Sequence, residues 1–450
     1  MVTEVVVLGG GYTGVWAARA VARAIAFGAI SGVRVRLVSA APDHSFHGWT
    51  AEVITGHVRP QRARVPLAEL LPGVELVHGR VTSVDPERRT VRVDTAEGVR
   101  HLCYDELVVG VGSRDSVDGV PGLAEHGWSL KSPDGLAALR VHLGDLTPGA
   151  TVVVAGGGLT GVEAATAIAQ RLPTARVVLA HAGPVPLPML RPRFERMARY
   201  ATDQACAAGV ELLPNARLAR VTVDAADFGA AGRVASATVI STIGQTPIAL
   251  PGLDRFARVD SGRLRTDSCL RVADGIWAGG DAAAVPHPSG DGPCPANALW
   301  AIHHGKQLGL NVIRTVQGKQ ARPFRFPGLG QGASLGIGRG AAELYGVQLT
   351  GWTAWLARWV FFHWFMPSRR VALRTALEWQ GGRHEQRRDH RGPRGTDRGG
   401  TVPRHGADHR RGDRSLGSAG EGAAAGRGGG RERVVGAAGL PGRAYPPRGR

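Results

Sequence analysis

Residues 4–14 read Glu-Val-Val-Val-Leu-Gly-Gly-Gly-Tyr-Thr-Gly, and an alanine-rich stretch from Val15 to Ala26 follows them. A short apolar run that ends in Gly9-x-Gly11-x-x-Gly14 and opens an alanine-rich segment predicts a strand, a tight turn and a helix. The run Val33 to Val38 supplies the next strand and closes a βαβ unit. In such a unit Gly9 allows the turn, Gly11 lets a pyrophosphate approach the backbone, and Gly14 lets helix and strand pack closely. The uncapped amino end of the helix then faces the phosphates.

The pattern recurs. Thr151 to Ala155 is followed by Gly156-x-Gly158-x-x-Gly161-x-Glu163, a helical stretch to Arg171 and a second β-like run, Ala175 to Ala180. Two fingerprints in one chain predict two dinucleotides, one retained and one exchanging, and the natural pair is FAD with NAD(P)H. Between the units, Val74 to Val81 and Arg89 to Val93 read as hairpin-like strands, and Leu107 to Gly112 as an apolar strand ending on glycine. Later strands end in turns at Gly244 and at Gly279-Gly280-Asp281. Ligands bind at such carboxyl ends.

Composition limits the alternatives. The chain has 450 residues, 65 of them glycine, and carries a formal net charge of +18. Residues 381–450 hold sixteen arginines, no lysine and seven acids, so about half the basic excess sits in one Gly/Arg tail. That tail has almost no apolar periodicity and is expected to be disordered. Its Arg-only basic set and Gly, Pro and Ala content are what GC-rich codons would encode, which raises an out-of-frame origin, and without interleaved aromatics it predicts no specific nucleic-acid partner. Cys103, Cys206, Cys269 and Cys294 lie far apart, which excludes a zinc ribbon or a disulfide framework and fits a cytoplasmic chain. The amino terminus carries no recognisable signal peptide.

Residues 351–366 hold four tryptophans and three phenylalanines, interrupted by Arg358 and followed by Arg369, Arg370 and Arg374. An aromatic helix beside arginines predicts peripheral contact of residues 351–374 with an anionic lipid surface, the alternative being a core or dimer helix.

The order of these motifs resembles the two-dinucleotide flavoproteins of the pyridine nucleotide reductase superfamily. Within it, Pro323-Phe324-Arg325-Phe326, Gly332-Ala333-Ser334-Leu335-Gly336 and the aromatic segment are similar to the end of type II NADH:quinone dehydrogenases. Gly122-Leu123-Ala124-Glu125-His126 with Leu130-Lys131-Ser132 resembles their linker into the NADH domain, and Pro295 to Asn311 the helix at the quinone mouth. The resemblance covers about residues 3–380.

It implies an α/β fold with an NAD(P)H domain (116–250) inserted in a discontinuous FAD domain (1–115 and 251–330). A membrane-associated segment (331–380) and the tail (381–450) would follow. It implies that Gly9, Gly11, Gly14, Ser39, Gly112, Gly280 and Asp281 hold FAD. Gly156, Gly158, Gly161, Glu163, His181 and Gly244 would hold NAD(P)H, with Glu163 near both rings as a catalytic carboxylate or, on the residues alone, a helix-start acid. Leu299, Trp300 and His303 would line the quinone mouth, with His303 donating a proton, unless the histidine only packs against neighbouring helices.

Two departures stand out: Ser39 and His181 occupy the positions where acids normally meet an adenosine ribose, and His181 leaves NADPH open unless it is a surface residue. The implied activity is hydride transfer from NAD(P)H to flavin and then electron transfer to quinone, without proton pumping. The implied setting is a homodimer on the cytoplasmic face of the membrane. Rivals are a sulfide:quinone enzyme using Cys294, a soluble NAD(P)H:acceptor reductase and a non-enzymatic NADH sensor.

Overall fold

A computed structural model describes residues 2–389 except Asp291, with side chains as far as Trp379 other than that of Pro133. The helix Arg369–Asp389 carries the backbone into the first residues of the expected disordered tail. Residues 390–450, and with them most of what was expected of the tail, lie outside the described residues.

Two parallel sheets form the frame. In the first, Glu75–His78, Val33–Ser39, Thr3–Leu8, Glu106–Val109 and Ile276–Ala278 lie side by side, and Arg271–Ala273 pairs antiparallel at the edge. Leu8 pairs with both Val38 and Val109, so the central strands end level at Gly9, Ser39 and Gly110. The second sheet runs Gly127–Ser129, Thr238–Ser241, Thr151–Ala155, Arg176–Ala180, Val210–Leu213. Its strands also end level, with Ala155 opposite Ala180 and Ser241. The chain thus leaves the first sheet, builds the second and returns, which is the inserted α/β architecture that the family resemblance implied. Both sheets are buried on two faces, and Val5–Leu8 and Val152–Val154 are accordingly fully buried apolar runs.

The apolar run Val74–Val81 is not one strand. It divides at Gly79, whose N–H donates to Ser39 O, and Arg80–Asp85 then joins an antiparallel meander with Thr90–Thr95 and Gly98–Cys103. Periodicity could not reveal this, because both halves are extended.

The helix Ala298–Val316 packs against the helix Tyr12–Ala26 at two glycines. A Cβ on Gly305 would collide with Thr13 O, and one on Gly309 would stand 2.6 Å from the Ala20 methyl. A three-stranded antiparallel sheet, Gly330–Ser334, Gly340–Leu344 and Val347–Gly351, leads into the helix Trp352–Phe365. That helix is two-faced: Ala354 and Arg358 are buried, while Trp352, Val360 and Trp364 are more than half exposed. No helix among the described residues is long and apolar enough to cross a membrane.

Candidate dinucleotide site

The level strand ends open onto one cavity of about 860 Å³. It is lined by Gly9, Gly10, Gly11, Ser39, Gly112 and Asp281 from the first unit and by Thr160, Glu163, Thr242 and Gly244 from the second. Gly9 has φ +103°, and a Cβ there would strike Gly110 O, while a Cβ on Gly14 would strike Gly9 O. At Gly11, by contrast, a Cβ meets nothing within 4 Å. Gly9 and Gly14 are therefore required by the turn itself, whereas Gly11 keeps open space for a ligand. Gly11 caps the helix Tyr12–Ala26 with no side-chain acceptor and no acid in the first turn. Its N–H groups are free for an anion.

The second loop repeats the arrangement. A Cβ on Gly156 would collide with Thr242 and one on Gly161 with Gly156 O, while Gly158 faces open space at an uncapped helix start. Gly156, Gly158 and Gly161 are not lining residues of the cavity; Thr160 and Glu163 reach it from the same helix. The cradles fit two dinucleotides by the same steric test.

Glu163 is not a helix-start acid, since the first turn of its helix has none. Its Oε1 accepts from Ser334 N at 2.8 Å and from Arg358 Nη2 at 2.7 Å, and no described donor engages Oε2. Arg358 also donates to Glu52 Oε1 at 2.7 Å and to Gly48 O at 2.8 Å. The interrupting arginine of the aromatic segment therefore points inward: its side chain is 6% exposed and ties the helix Trp352–Phe365 to both carboxylates. Burial pushes the Glu163 carboxyl up to about 7, Arg358 opposing and Glu52 adding to the rise.

Ser39 stands beside the loop, 2.5 Å from where a Gly10 Cβ would be, and donates its hydroxyl to Ala41 O at 2.7 Å. Asp281 accepts from Ser113 Oγ at 2.7 Å and faces the Lys131 ammonium. His304 Nδ1 accepts from Gly280 N at 3.1 Å and so fixes that turn.

Other predicted residues stand elsewhere. His181 is not a surface residue: it is 3% exposed, packed against the glycine loop where a Gly157 Cβ would lie 2.6 Å from its own. Neither ring nitrogen has a hydrogen-bond partner among the described residues, and burial lowers its pKa. Leu299, Trp300 and His303 do not line the cavity; Asn297, Ala298 and Ala301 of that helix do. Trp300 packs with Phe324 and Phe326, and His303 stacks on Phe326 with ring centroids 3.7 Å apart. Burial holds the His303 imidazole down to about 4, which leaves it neutral and without a proton to give at neutral pH.

Tyr12, His47, Thr50 and Lys131 also line the cavity; Tyr12 and Lys131 lie within motifs quoted above but were not singled out as site residues, and no motif signalled His47 or Thr50. His47 N donates to Tyr12 Oη at 3.0 Å. The four cysteines are free; Cys294 is buried, and burial pushes its thiol up to about 12. No cluster of metal-ligating side chains occurs among the described residues.

Comparison with known proteins agrees with this geometry. A family model described as pyridine nucleotide-disulphide oxidoreductase matches residues 3–305. An NADH dehydrogenase-like protein of Mycobacterium tuberculosis is 34% identical over 72% of this chain and 84% of its own length. A demethylphylloquinone reductase of Synechocystis is 25% identical over 84% of this chain and 95% of its own. The structure of NDH2 from Plasmodium falciparum in complex with NADH superposes with a TM-score of 0.75 at 14% identity, covering 85% of this chain and 98% of that one. Two glycine cradles on level sheet ends and a family match across both units place this chain in the pyridine nucleotide-disulphide oxidoreductase family.

Proposed function

We propose that this chain is an FAD-dependent oxidoreductase that passes electrons from NAD(P)H to a quinone and pumps no protons. The observation that carries the reading is a large cavity shared by the two units, with the first glycine loop and Glu163, Thr160 and Thr242 of the second unit in its wall. A retained and an exchanging dinucleotide can meet there. The relatives named for NADH dehydrogenase and quinone reductase activity support the same assignment.

In this reading Gly9, Gly11 and Gly14 with Ser39, Gly112, Gly280 and Asp281 hold FAD. Gly156, Gly158 and Gly161 with Glu163, His181 and Gly244 receive NAD(P)H. When bound, FAD accepts a hydride from the nicotinamide and yields the electrons to quinone. The protein sets the distance and angle of the partners, and the glycine loops do this through backbone N–H groups. Burial raises the pKa of Glu163, so its carboxyl can take up or release a proton at the oxygen that Arg358 and Ser334 leave free. At the start of the helix Ala298–Val316, Asn297, Ala298 and Ala301 would face the bound groups, rather than Leu299, Trp300 and His303. A sulfide enzyme would need a reactive thiol, and the buried Cys294 has its pKa pushed the other way.

Gly158→Val tests the assignment of the two loops. The variant keeps its yellow flavin, while the NADH concentration needed for half-maximal bleaching rises by about tenfold or more, because the branched side chain fills the space left for the second pyrophosphate. A colourless variant, or one with unaltered NADH dependence, contradicts it.

We also propose that the exposed face of the helix Trp352–Phe365, with Arg369, Arg370 and Arg374 beside it, rests on an anionic membrane on the cytoplasmic side, and that the chain works as a homodimer. Trp352, Trp364, Leu373 and Leu377 are each about 60% exposed or more, and Arg369 lies 5.0 Å over the Trp364 ring. Such aromatic and cationic groups fit headgroup depth. Replacing Trp352 and Trp364 together by serine lowers co-sedimentation with vesicles rich in phosphatidylglycerol by about fivefold or more; equal binding by both proteins rejects the lipid assignment.

A further inference from the structure

Lys131 belongs to the second unit by sequence and to the first by contact. It follows the edge strand Gly127–Ser129 and precedes the helix Pro133–Gly144, and its N–H donates to Ser129 Oγ at 3.1 Å. Yet its ammonium crosses to the first unit, where it donates to Ser113 Oγ and stands 3.6 Å from Asp281 Oδ2. Ser113 is in turn 2.7 Å from Asp281 Oδ2 and 2.9 Å from Gln245 Oε1. The lysine side chain is 26% exposed.

The cavity lining holds four carboxylates, Asp43, Asp115, Glu163 and Asp281, against two permanently basic side chains, Arg80 and Lys131. Arg80 adjoins Gly79, which bonds to Ser39 at the end of the second strand. That is the adenosine end of a βαβ unit. Among the described residues, Lys131 is therefore the one lysine or arginine lining the part of the wall that holds Asp281 and Glu163. Burial lowers its pKa, and Asp281 and Asp115 hold it up.

We propose that Lys131 is a positioning and charge-setting residue that fixes the Asp281 carboxylate and raises the reduction potential of the flavin bound in this cavity. The proposal rests on the assignment of the cavity to FAD. Hydride transfer from NAD(P)H adds two electrons and one proton to the flavin, leaves NAD(P)+ and gives the ring system one net negative charge. A fixed ammonium beside Asp281, in a cavity whose lining holds more acids than bases, favours that charged product over the neutral oxidised flavin. Without it, the unscreened Asp281 carboxylate opposes reduction.

The test compares flavin-loaded wild type, Lys131→Met and Lys131→Arg by sulfite titration and by redox-dye equilibration with dithionite as reductant. Sulfite adds to oxidised flavin and leaves a similar negative charge on the ring, so its affinity reports the same field without any nicotinamide. Lys131→Met is expected to bind sulfite about tenfold more weakly or worse. Its flavin reduction equilibrium falls by a similar factor, about 30 mV for a two-electron couple, while Lys131→Arg stays within about threefold of wild type. Unchanged sulfite affinity and potential in Lys131→Met overturn the proposal. So does loss of flavin from both variants, which would make the residue structural. A wild-type flavin that NADH fails to bleach would reject the functional reading and still leave the potential difference between wild type and Lys131→Met measurable.

Discussion

Gly11→Val is expected to fold as the wild type does and to lose its flavin. The backbone at Gly11 has φ −79° and ψ −170°, an extended conformation that a branched residue adopts without strain. A Cβ there meets no atom within 4 Å. The new methyl groups therefore fill only the space that a pyrophosphate would occupy at the helix start. FAD affinity should drop by about a hundredfold, or about 2.8 kcal/mol, with the melting curve of the flavin-free protein unchanged. Gly14→Ala is the counterpart: its Cβ would collide with Gly9 O, so it should destabilise the flavin-free protein itself. Equal flavin content in Gly11→Val and wild type, measured by absorbance after gel filtration, would show that this loop holds no dinucleotide.

The second large effect concerns Arg358. Arg358→Met leaves Glu52 and Glu163 buried without their shared cation, and removal of one partner of a buried ion pair costs about 3–5 kcal/mol. A double variant, Arg358→Met with Glu52→Gln, should recover part of that loss, because it removes one of the two stranded charges. The pH dependence has a definite sign. The folded-state pKa of Glu163 is raised to about 7 from an ordinary value of 4.5. Between those values the unfolded chain ionises first and binds fewer protons than the native one, so this group's contribution to stability falls as pH rises from about 4.5 to 7. Without Arg358 the window extends upward and the total fall is larger. Denaturant melts at pH 5 and pH 8 check it: a variant that melts like the wild type at both would mean that the buried triad carries no stability.

How much of this was legible in the sequence depends on the distance over which each feature is decided. The two glycine loops are local: strand, turn and helix lie within about two dozen residues, and their roles follow from backbone sterics alone. The level sheet ends that join them into one cavity follow from the parallel order of βαβ units. Glu163 was found because it is two residues from Gly161. Its partners were not, since Glu52 and Arg358 are 306 residues apart and no spacing rule connects them. The same burial misled the reading of the aromatic segment, where an arginine among tryptophans looks like an interruption of a lipid-facing helix and proves to be its inward anchor.

The acceptor helix illustrates a different limit. The family resemblance pointed to Leu299 and His303, which share one flank at i and i+4, together with Trp300. Which flank meets the cavity is set by the seating of Gly305 and Gly309 on the helix Tyr12–Ala26, and that turns Asn297, Ala298 and Ala301 inward instead. Lys131 and His47 were missed for a related reason. Each sits in a connection without periodicity, and only the meeting of two units brings them to the cavity wall.

The most direct test of the central claim is rapid-mixing reduction of the purified protein, following flavin absorbance near 450 nm, first with NADH or NADPH and then with a short-chain quinone. Bleaching by a nicotinamide nucleotide within the turnover time, followed by recovery of absorbance on addition of quinone, is the expected result. A bound flavin that neither nucleotide bleaches, or that bleaches and is not reoxidised by quinone, would contradict it.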